Sequence, residues 1–118
     1  MSEDKSVKYT VQDHIEKSYQ RLNESDYQIQ NIWQPGAYDW PGDWEGRALL
    51  AFTCLYEITG KKIECMDKMI ELLPKHLNEL GYFGKICEDG KMNEQQLSSH
   101  SWVLRGLCEY WLWKRDPQ

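Results

Sequence analysis

Apolar side chains recur every three to four residues along most of this chain, which is the spacing of amphipathic helices. The first such run predicts a helix from about Thr10 to Asn23, with Thr10 and Asp13 forming its N-terminal cap. Its apolar positions are Val11, Ile15, Tyr19 and Leu22. Residues 1–9 lack the pattern, so we expect a frayed N-terminus followed by one helical domain over residues 10–118.

Two further helices are expected in the middle of the chain. The second begins at Asp43, which is a good N-cap, has Glu45 in its first turn and stops at Gly60, a typical C-terminal cap. Its apolar positions are Leu49, Phe52, Leu55 and Tyr56. A third helix follows after a short turn, and Pro74 predicts a kink or a restart because proline removes a helix hydrogen bond. Its apolar face is Ile63, Met66, Ile70, Leu73 and Leu77.

The last helix is expected from near Asn93 to about Lys114, after a loop over residues 85–92. Its predicted apolar stripe is Leu97, His100, Leu104, Leu107 and Trp111. No run alternates apolar and polar residues for long enough to indicate a strand. The expected class is therefore all-α, built of antiparallel helical hairpins with short connections.

The second and fourth predicted helices resemble each other. A shift of roughly 54 residues is a plausible repeat period for a helical hairpin. It superposes Leu50 on Leu104, Cys54 on Cys108, Tyr56 on Tyr110 and Gly36 on Gly90. Two hairpins of a repeat array leave an open apolar edge. The expected edge is Trp111, Leu112 and Trp113, so we expect a fragment of a longer protein or an oligomer that covers these residues.

The totals exclude several classes of partner. A length of 118 residues allows one domain, and a net charge of -5 without a basic stripe argues against nucleic acid and anionic membranes. The longest apolar runs are far shorter than a membrane span, and the polar N-terminus is unlike a signal peptide. The chain is therefore expected to be cytoplasmic.

The cysteines are expected to be buried free thiols of a reducing compartment. They are Cys54, Cys65, Cys87 and Cys108. None forms a C-x-x-C pair, and no His/Cys group has zinc spacing. The sequence therefore predicts no metal site in this chain.

The stretch from Asp39 to Arg47 is the strongest candidate for a ligand site. It combines aromatic rings, carboxylates and a guanidinium at a helix start, which suits a sugar that stacks on a ring and hydrogen-bonds to charged groups. The candidate substrate-binding residues are Trp40, Asp43, Trp44, Glu45 and Arg47. In the alternative interpretation, the two acids cap the helix and Arg47 forms a surface pair. Asp43 and Glu45 point in different directions on a helix and are not a catalytic pair.

Two further candidates lie near the start of the last helix. His100 is either a core histidine with satisfied nitrogens or a sugar ligand at the cleft end of an inner helix, with Gln96 beside it. His14 and His76 fall on predicted outer helices and are expected to be solvated. No phosphate-binding glycine loop and no nucleophile elbow is present.

Several segments resemble the β-L-arabinofuranosidase-like glycoside hydrolases. Residues 40–60, with a Gly46-Arg47 pair and a Tyr-x-x-Thr-Gly ending, are similar to the first inner helix of that family. The sequence Gly81-Tyr82-Phe83-Gly84 is similar to its Gly-Tyr-Leu-Gly turn, and residues 93–107 to its next inner helix. The likeness covers most of the chain from about Val11.

The resemblance implies a partial (α/α) toroid and removal of a terminal, arabinofuranoside-like sugar from a glycan. Such a toroid needs about six hairpins, of which this chain would supply two. The family's cysteine nucleophile, its acid/base glutamate and its zinc-binding cysteines would lie beyond residue 118, and none of the four cysteines matches them. The chain would thus bind carbohydrate without a catalytic residue, metal or cofactor of its own. The alternative is a small helical interaction module that oligomerises through Trp111, Leu112 and Trp113, without catalysis.

Overall fold

Four α-helices account for most of residues 9–33 and 41–115, the part of the chain that the computed structural model describes. They are α1 (Val11–Leu22), α2 (Asp43–Thr59), α3 (Met66–Leu72) and α4 (Glu94–Arg115). Short 3₁₀ turns cover Ser25–Tyr27, Ile29–Asn31 and Leu73–His76. In these described ranges the only β-type pairing is one isolated bridge between Leu77 and Phe83. The predicted all-α class is confirmed.

Local capping fixes the ends of α1 and the end of α2 where the sequence predicts them. The Asp13 N–H donates to Thr10 Oγ1 at 3.2 Å, and the Thr10 N–H donates back to Asp13 Oδ2 at 2.8 Å. Gly60 ends α2 in the left-handed conformation, with φ of 69°, and its N–H donates to the Tyr56 carbonyl at 2.9 Å. Both caps are contacts within about one helical turn, so the local sequence is sufficient to predict them.

The start of α2 differs from the prediction, because Gly42 and not Asp43 is the N-cap. Gly42 has φ of 106°, a conformation that glycine adopts at little cost. Its N–H donates to Glu45 Oε2 at 2.9 Å. Asp43 is already helical, and its carboxylate pairs with Arg47 Nε at 3.0 Å instead of capping the helix.

Pro74 interrupts the third helical segment as expected. The α-helix α3 ends at Leu72 and the chain continues in the 3₁₀ turn Leu73–His76, where Pro74 needs no helix hydrogen-bond donor. Ile63, Met66 and Met69 are buried, whereas Leu77 is exposed. Ile70 and Leu73 are half-buried against the core, so the predicted apolar face leaves the core only at Leu77.

The helices α2 and α4 lie side by side at unusually close range. A Cβ built on Gly46 would lie 2.3 Å from the backbone nitrogen of Val103, and one built on Gly106 would lie 2.8 Å from the Gly46 carbonyl. Further along, the Tyr56 and Trp113 rings pack with centroids 4.5 Å apart. Because later residues of α2 meet later residues of α4, the two helices are parallel.

The helix α1 packs against α2 in the opposite direction. Lys61, just past the end of α2, pairs with Glu16 of α1 at 3.4 Å, and the Tyr19 hydroxyl donates to the Lys62 carbonyl at 3.3 Å. Beyond the end of α1, Tyr27 packs on Trp44 in the first turn of α2, with ring centroids 5.0 Å apart, so α1 runs towards the start of α2. The pair α1 and α2 is therefore the expected antiparallel hairpin. The pair α2 and α4 is parallel, which differs from the expected antiparallel arrangement.

The inward face of α4 is rotated relative to the predicted stripe. Small residues face α2, with Ser99, Val103 and Gly106 buried, and Gln96 is buried against the loop before α4. Leu97, Leu104 and Trp111, which the prediction placed in the core, are exposed by 60%, 64% and 56%. The close approach of the two backbones requires small residues at the contact, so Leu97, Leu104 and Trp111 point away from it. Leu107, also part of the predicted stripe, still packs against the core.

The prediction that all four cysteines are buried is wrong for two of them. Cys65 is buried and Cys54 is half-buried, but Cys87 and Cys108 are exposed. Cys108 lies on the outer side of α4, and Cys87 lies in the loop before that helix. All four are free thiols.

The substitution Gly46→Ala tests the contact between α2 and α4. The added methyl must push the two backbones apart, so we expect the free energy of unfolding to fall by about 2–3 kcal/mol. This loss should appear even though alanine favours a helix by roughly 1 kcal/mol over glycine. Urea denaturation measures it, with Ser98→Ala on the exposed side of α4 as the control. A Gly46→Ala protein as stable as the parent chain would contradict the close packing.

Two acidic residues face each other near the far end of the same helix pair. Partial burial raises the pKa of Glu57, and the charge and hydrogen bond of Glu109 raise it further. Folding therefore favours the protonated form of Glu57. Its contribution to stability is present below the ordinary glutamate pKa of 4.5 and is lost as the pH rises through the higher pKa of the folded state.

Glu57→Gln is accordingly expected to stabilise the protein at pH 8. The expected gain is a few tenths of a kcal/mol, the size of an exposed like-charge pair after solvent screening. It should fade as the pH approaches 4.5, the ordinary value for glutamate. Urea denaturation at both pH values provides the test, with Glu79→Gln as a matched exposed control. A gain that is independent of pH would argue against the Glu57–Glu109 interaction.

Candidate binding site at the start of helix α4

The turn between the 3₁₀ segment and α4 is built around Asn78. Its Oδ1 accepts hydrogen bonds from the Leu80 N–H at 3.0 Å and the Tyr82 N–H at 3.3 Å. Its Nδ2 donates to the Gly84 carbonyl at 3.0 Å. One side chain thus closes the loop and fixes the position of Tyr82.

Gln96 and His100 attach this loop to α4. The buried Gln96 amide donates to the carbonyls of Phe83 at 2.6 Å and Lys85 at 2.9 Å. His100 Nε2 accepts from the Phe83 N–H at 2.8 Å, and its Nδ1 lies 2.6 Å from the Gln96 carbonyl. Because Nε2 must accept, the proton sits on Nδ1, and both nitrogens of the neutral ring are occupied. His100 is therefore a satisfied histidine that positions the loop.

A pocket of about 350 Å³ opens between this loop and the first turns of α4. Its walls are Tyr82, Cys87, Lys91, Met92, Asn93, Gln96, Leu97 and His100. The Cys87 N–H donates to the Tyr82 hydroxyl at 2.9 Å, which holds that ring against the loop. The volume lies in the lower part of the range for small-molecule sites. Apolar side chains with a few polar groups at the rim are the usual composition of such a site.

The polar groups of the pocket are fixed to different degrees. Asn93 Oδ1 accepts from the Gln96 N–H at 3.1 Å, so Asn93 caps α4 from within the pocket wall. The Cys87 sulfur lies 3.6 Å from Gln96 Oε1. Lys91 pairs with Glu88 at 2.7 Å, with both side chains exposed, so its amine is held weakly at the rim.

An aromatic stack supports the pocket from behind. Trp33 packs between His76 and Phe83, with ring centroids 5.0 Å apart on each side. Phe83 in turn lies 5.3 Å from the His100 ring. His76, which the sequence analysis placed in solvent, is thus half-buried. Burial lowers its pKa, and the nearby Glu45 carboxylate partly opposes that shift.

Glu45 links this stack to α2. It is only 2% exposed, and its two carboxylate oxygens accept from the Trp33 N–H at 3.3 Å and the Gly42 N–H at 2.9 Å. Trp33 has φ of 60°, which is uncommon for a bulky residue. Within the described ranges, the Trp33 indole N–H has no hydrogen-bond partner. The carboxylate that the sequence offered as a sugar ligand is therefore a buried structural group.

The other residues of the Asp39–Arg47 stretch point to separate surfaces. Asp43 and Arg47 pair on the helix surface, and the Arg47 guanidinium lies 4.2 Å from the centre of the Trp102 ring. Trp44 packs on Tyr27, with centroids 5.0 Å apart. Trp40 lies outside the described residues. The sequence analysis expected the side chains of this stretch to surround one ligand. The structure instead places the pair formed by Asp43 and Arg47, the Trp44 ring and the Glu45 carboxylate in three different surroundings.

Of the sequence-predicted site residues that the structure describes, two line the pocket, Gln96 and His100. The sequence analysis did not identify the other residues of the pocket wall. The aromatic one, Tyr82, lies in the Gly81-Tyr82-Phe83-Gly84 turn that the sequence analysis singled out only for its resemblance. In residues 9–33 and 41–115, no three His, Cys, Asp or Glu side chains come together as a metal site. None of the described helices is long and apolar enough to cross a membrane.

Comparison with known proteins adds no relative. No protein-family model matches the chain, and neither the curated proteins nor the solved structures contain a match. Function must therefore be argued from the residues and their geometry.

The reactivity of the cysteine thiols towards iodoacetamide tests which of them are buried. Burial raises the pKa of the Cys65 thiol to about 11, and its sulfur lies 2.8 Å from the Tyr27 carbonyl. Because the thiolate is the nucleophile, iodoacetamide at pH 8 should modify the exposed Cys87 and Cys108 and leave Cys65 unmodified until the protein unfolds. Peptide mapping by mass spectrometry measures each site. Equal labelling of Cys65 and Cys108 in the folded protein would contradict this assignment.

Proposed function

We propose that this chain is part of a glycoside hydrolase of the (α/α)-toroid type and forms one wall of its sugar cleft. The proposal combines the resemblance to β-L-arabinofuranosidase-like enzymes with the geometry around α4. In this view α2 and α4 are consecutive inner helices. The pocket at the N-terminal end of α4 opens into the cleft, and the catalytic residues come from another part of the enzyme.

The parallel pairing of α2 and α4 is the observation that carries the proposal. Gly46 meets the backbone of Trp102, and Leu50 meets Gly106, so each partner lies about 56 positions further along the chain. This offset is close to the roughly 54-residue shift that relates the two helix sequences. Repeated units place equivalent helices next to each other in the same direction. A repeat array of outer and inner helices would produce this contact.

The chemistry of the pocket suits a single sugar ring. The Tyr82 ring offers a flat apolar face of the kind on which the C–H groups of a sugar pack. Asn93 and Lys91 at the rim provide hydrogen-bonding groups for hydroxyls. Gln96 and His100 support the site indirectly, because their polar atoms hold the Tyr82 loop and are not free to face the ligand.

The pocket lining supports a binding role for this chain and a catalytic centre elsewhere. Among the residues that the structure describes, the pocket lining includes no carboxylate, whereas glycoside hydrolysis normally uses two. Glu45 is buried between two backbone N–H groups, and Asp43 is paired with Arg47. Both nitrogens of His100 are engaged. None of these groups is placed to transfer a proton to a glycosidic oxygen in the pocket.

Protection of Cys87 from alkylation tests sugar binding. Methyl β-L-arabinofuranoside at millimolar concentration should slow iodoacetamide modification of Cys87, because the sugar covers the pocket, and leave Cys108 unaffected as the internal control. Millimolar affinity corresponds to about 4 kcal/mol, which is reasonable for one sugar ring in an open pocket. Tyr82→Ala should abolish protection, whereas Tyr82→Phe, which keeps the ring but loses the hydrogen bond from the Cys87 N–H, should only weaken it.

The matched control is Tyr9→Ala, which removes an exposed tyrosine outside the pocket. It should behave as the parent chain. Unchanged Cys87 reactivity at every sugar concentration would refute the proposed site. Protection that persists in Tyr82→Ala would place the sugar elsewhere.

Self-association is a second candidate function, and a specific observation favours it. Trp111 and Leu112 near the end of α4 are 56% and 49% exposed. Trp113 differs from its two neighbours, because it is half-buried against Tyr56 and belongs to the contact between α2 and α4. The apolar edge available to a partner is therefore the outer side of α4, and Trp113 is not part of it.

A further inference from the structure

The outer side of α4 carries a regular row of side chains. Leu97, Leu104 and Trp111 recur at seven-residue spacing, and the first two are 60% and 64% exposed. Ser101 and Cys108 lie between them and are also exposed. The resulting steps of four and three residues are those of a coiled-coil contact line. We call these five residues the α4 seam.

We propose that the α4 seam binds a second copy of this chain, with the two α4 helices packed antiparallel. The proposal rests on the second candidate function, self-association, and names its surface and its geometry. The seam shares one side chain, Leu97, with the sugar pocket.

The shape of the seam is complementary to itself. Large residues alternate with small ones along it, since Ser101 and Cys108 separate Leu97, Leu104 and Trp111. In an antiparallel pair, contact-line positions of one type face those of the other type. Leu104 then lies across from Ser101 of the second copy, and Leu97 lies across from its Cys108. A parallel pair would place small residues opposite small residues and leave gaps.

The charges of α4 favour the same direction. Glu94 lies in the first turn, whereas Arg105 and Lys114 lie in the second half of the helix. The acidic residue of that half, Glu109, interacts with Glu57 of α2. An antiparallel pair brings Glu94 within about one helical turn of Lys114 of the second copy, at both ends of the contact. In a parallel pair, Glu94, which lies one heptad before Ser101, would instead face Glu94 of the second copy. Opposite charges at the ends also agree with antiparallel helix dipoles.

The area of the seam indicates a weak dimer. From residue 97 to residue 111 the helix rises by about 21 Å. A contact of this length between two helices buries on the order of 1,000 Å² in total, near the lower limit for specific protein interfaces. We therefore expect a dissociation constant of about 10–100 µM and a dimer that depends on concentration.

Light scattering after size-exclusion chromatography tests the surface. As the protein concentration is raised from about 10 to 500 µM, the average mass should rise from monomer towards dimer, because the expected dissociation constant lies within that range. Leu104→Glu should remain monomeric at every concentration. The matched control is Leu80→Glu, since Leu80 is also 64% exposed but lies outside α4. Circular dichroism checks that both variants are folded.

The possible outcomes separate the surface from self-association in general. A parent chain that stays monomeric at the highest concentration overturns both the α4 seam and self-association. A dimer that Leu104→Glu leaves intact overturns the α4 seam and leaves self-association standing through another surface. Loss of the dimer in both Leu104→Glu and Leu80→Glu also overturns the seam as the specific contact.

A charge exchange tests the direction of the helices. Glu94→Lys and Lys114→Glu should each weaken the dimer about fivefold, because each replaces attraction by repulsion at two places in the contact. The double variant should return the dissociation constant to within about twofold of the parent value. A double variant that is weaker than either single variant would overturn the antiparallel arrangement.

Discussion

The contact between Gly46 and Gly106 determines how the rest of the chain is arranged. Neither residue has a side chain to separate α2 from α4, so the two backbones come within van der Waals contact. At this range only small groups fit between the helices, which turns Ser99 and Val103 inwards and Leu97 and Leu104 outwards. The orientation of α4 then decides what each of its other residues can do. Gln96 and His100 face the loop before the helix, and Leu104 faces solvent.

A second constraint joins parts of the chain that are distant in sequence. The Glu45 carboxylate binds the backbone N–H groups of Trp33 and Gly42 at a site closed to solvent. A buried carboxylate needs such partners, because an unpaired charge there would be strongly unfavourable. Trp33, held in a left-handed conformation, then stacks between His76 and Phe83. The loop that forms the pocket is thereby fixed from both sides, by α4 and by this stack.

The sequence predicts those parts of the fold that local chemistry decides. Thr10 with Asp13, and Gly60 after its helix, cap their helices through contacts within one turn, so their positions follow from the sequence. The direction in which α4 faces does not, because it depends on a glycine contact between two helices. The rule that large apolar residues point inwards therefore fails for Leu97 and Leu104. Glu45 was misread for a related reason: its two partners are backbone groups, which no side-chain pattern reveals.

The same helix carries the wall of the pocket on its first turns and the α4 seam along its outer side. Leu97 belongs to both, since it lines the pocket and begins the seam. Under the two proposals, ligand binding and assembly share this side chain. Each event would then change the equilibrium constant of the other by the same factor. The close approach at Gly46 thus influences both surfaces through the single rotation that it imposes on α4.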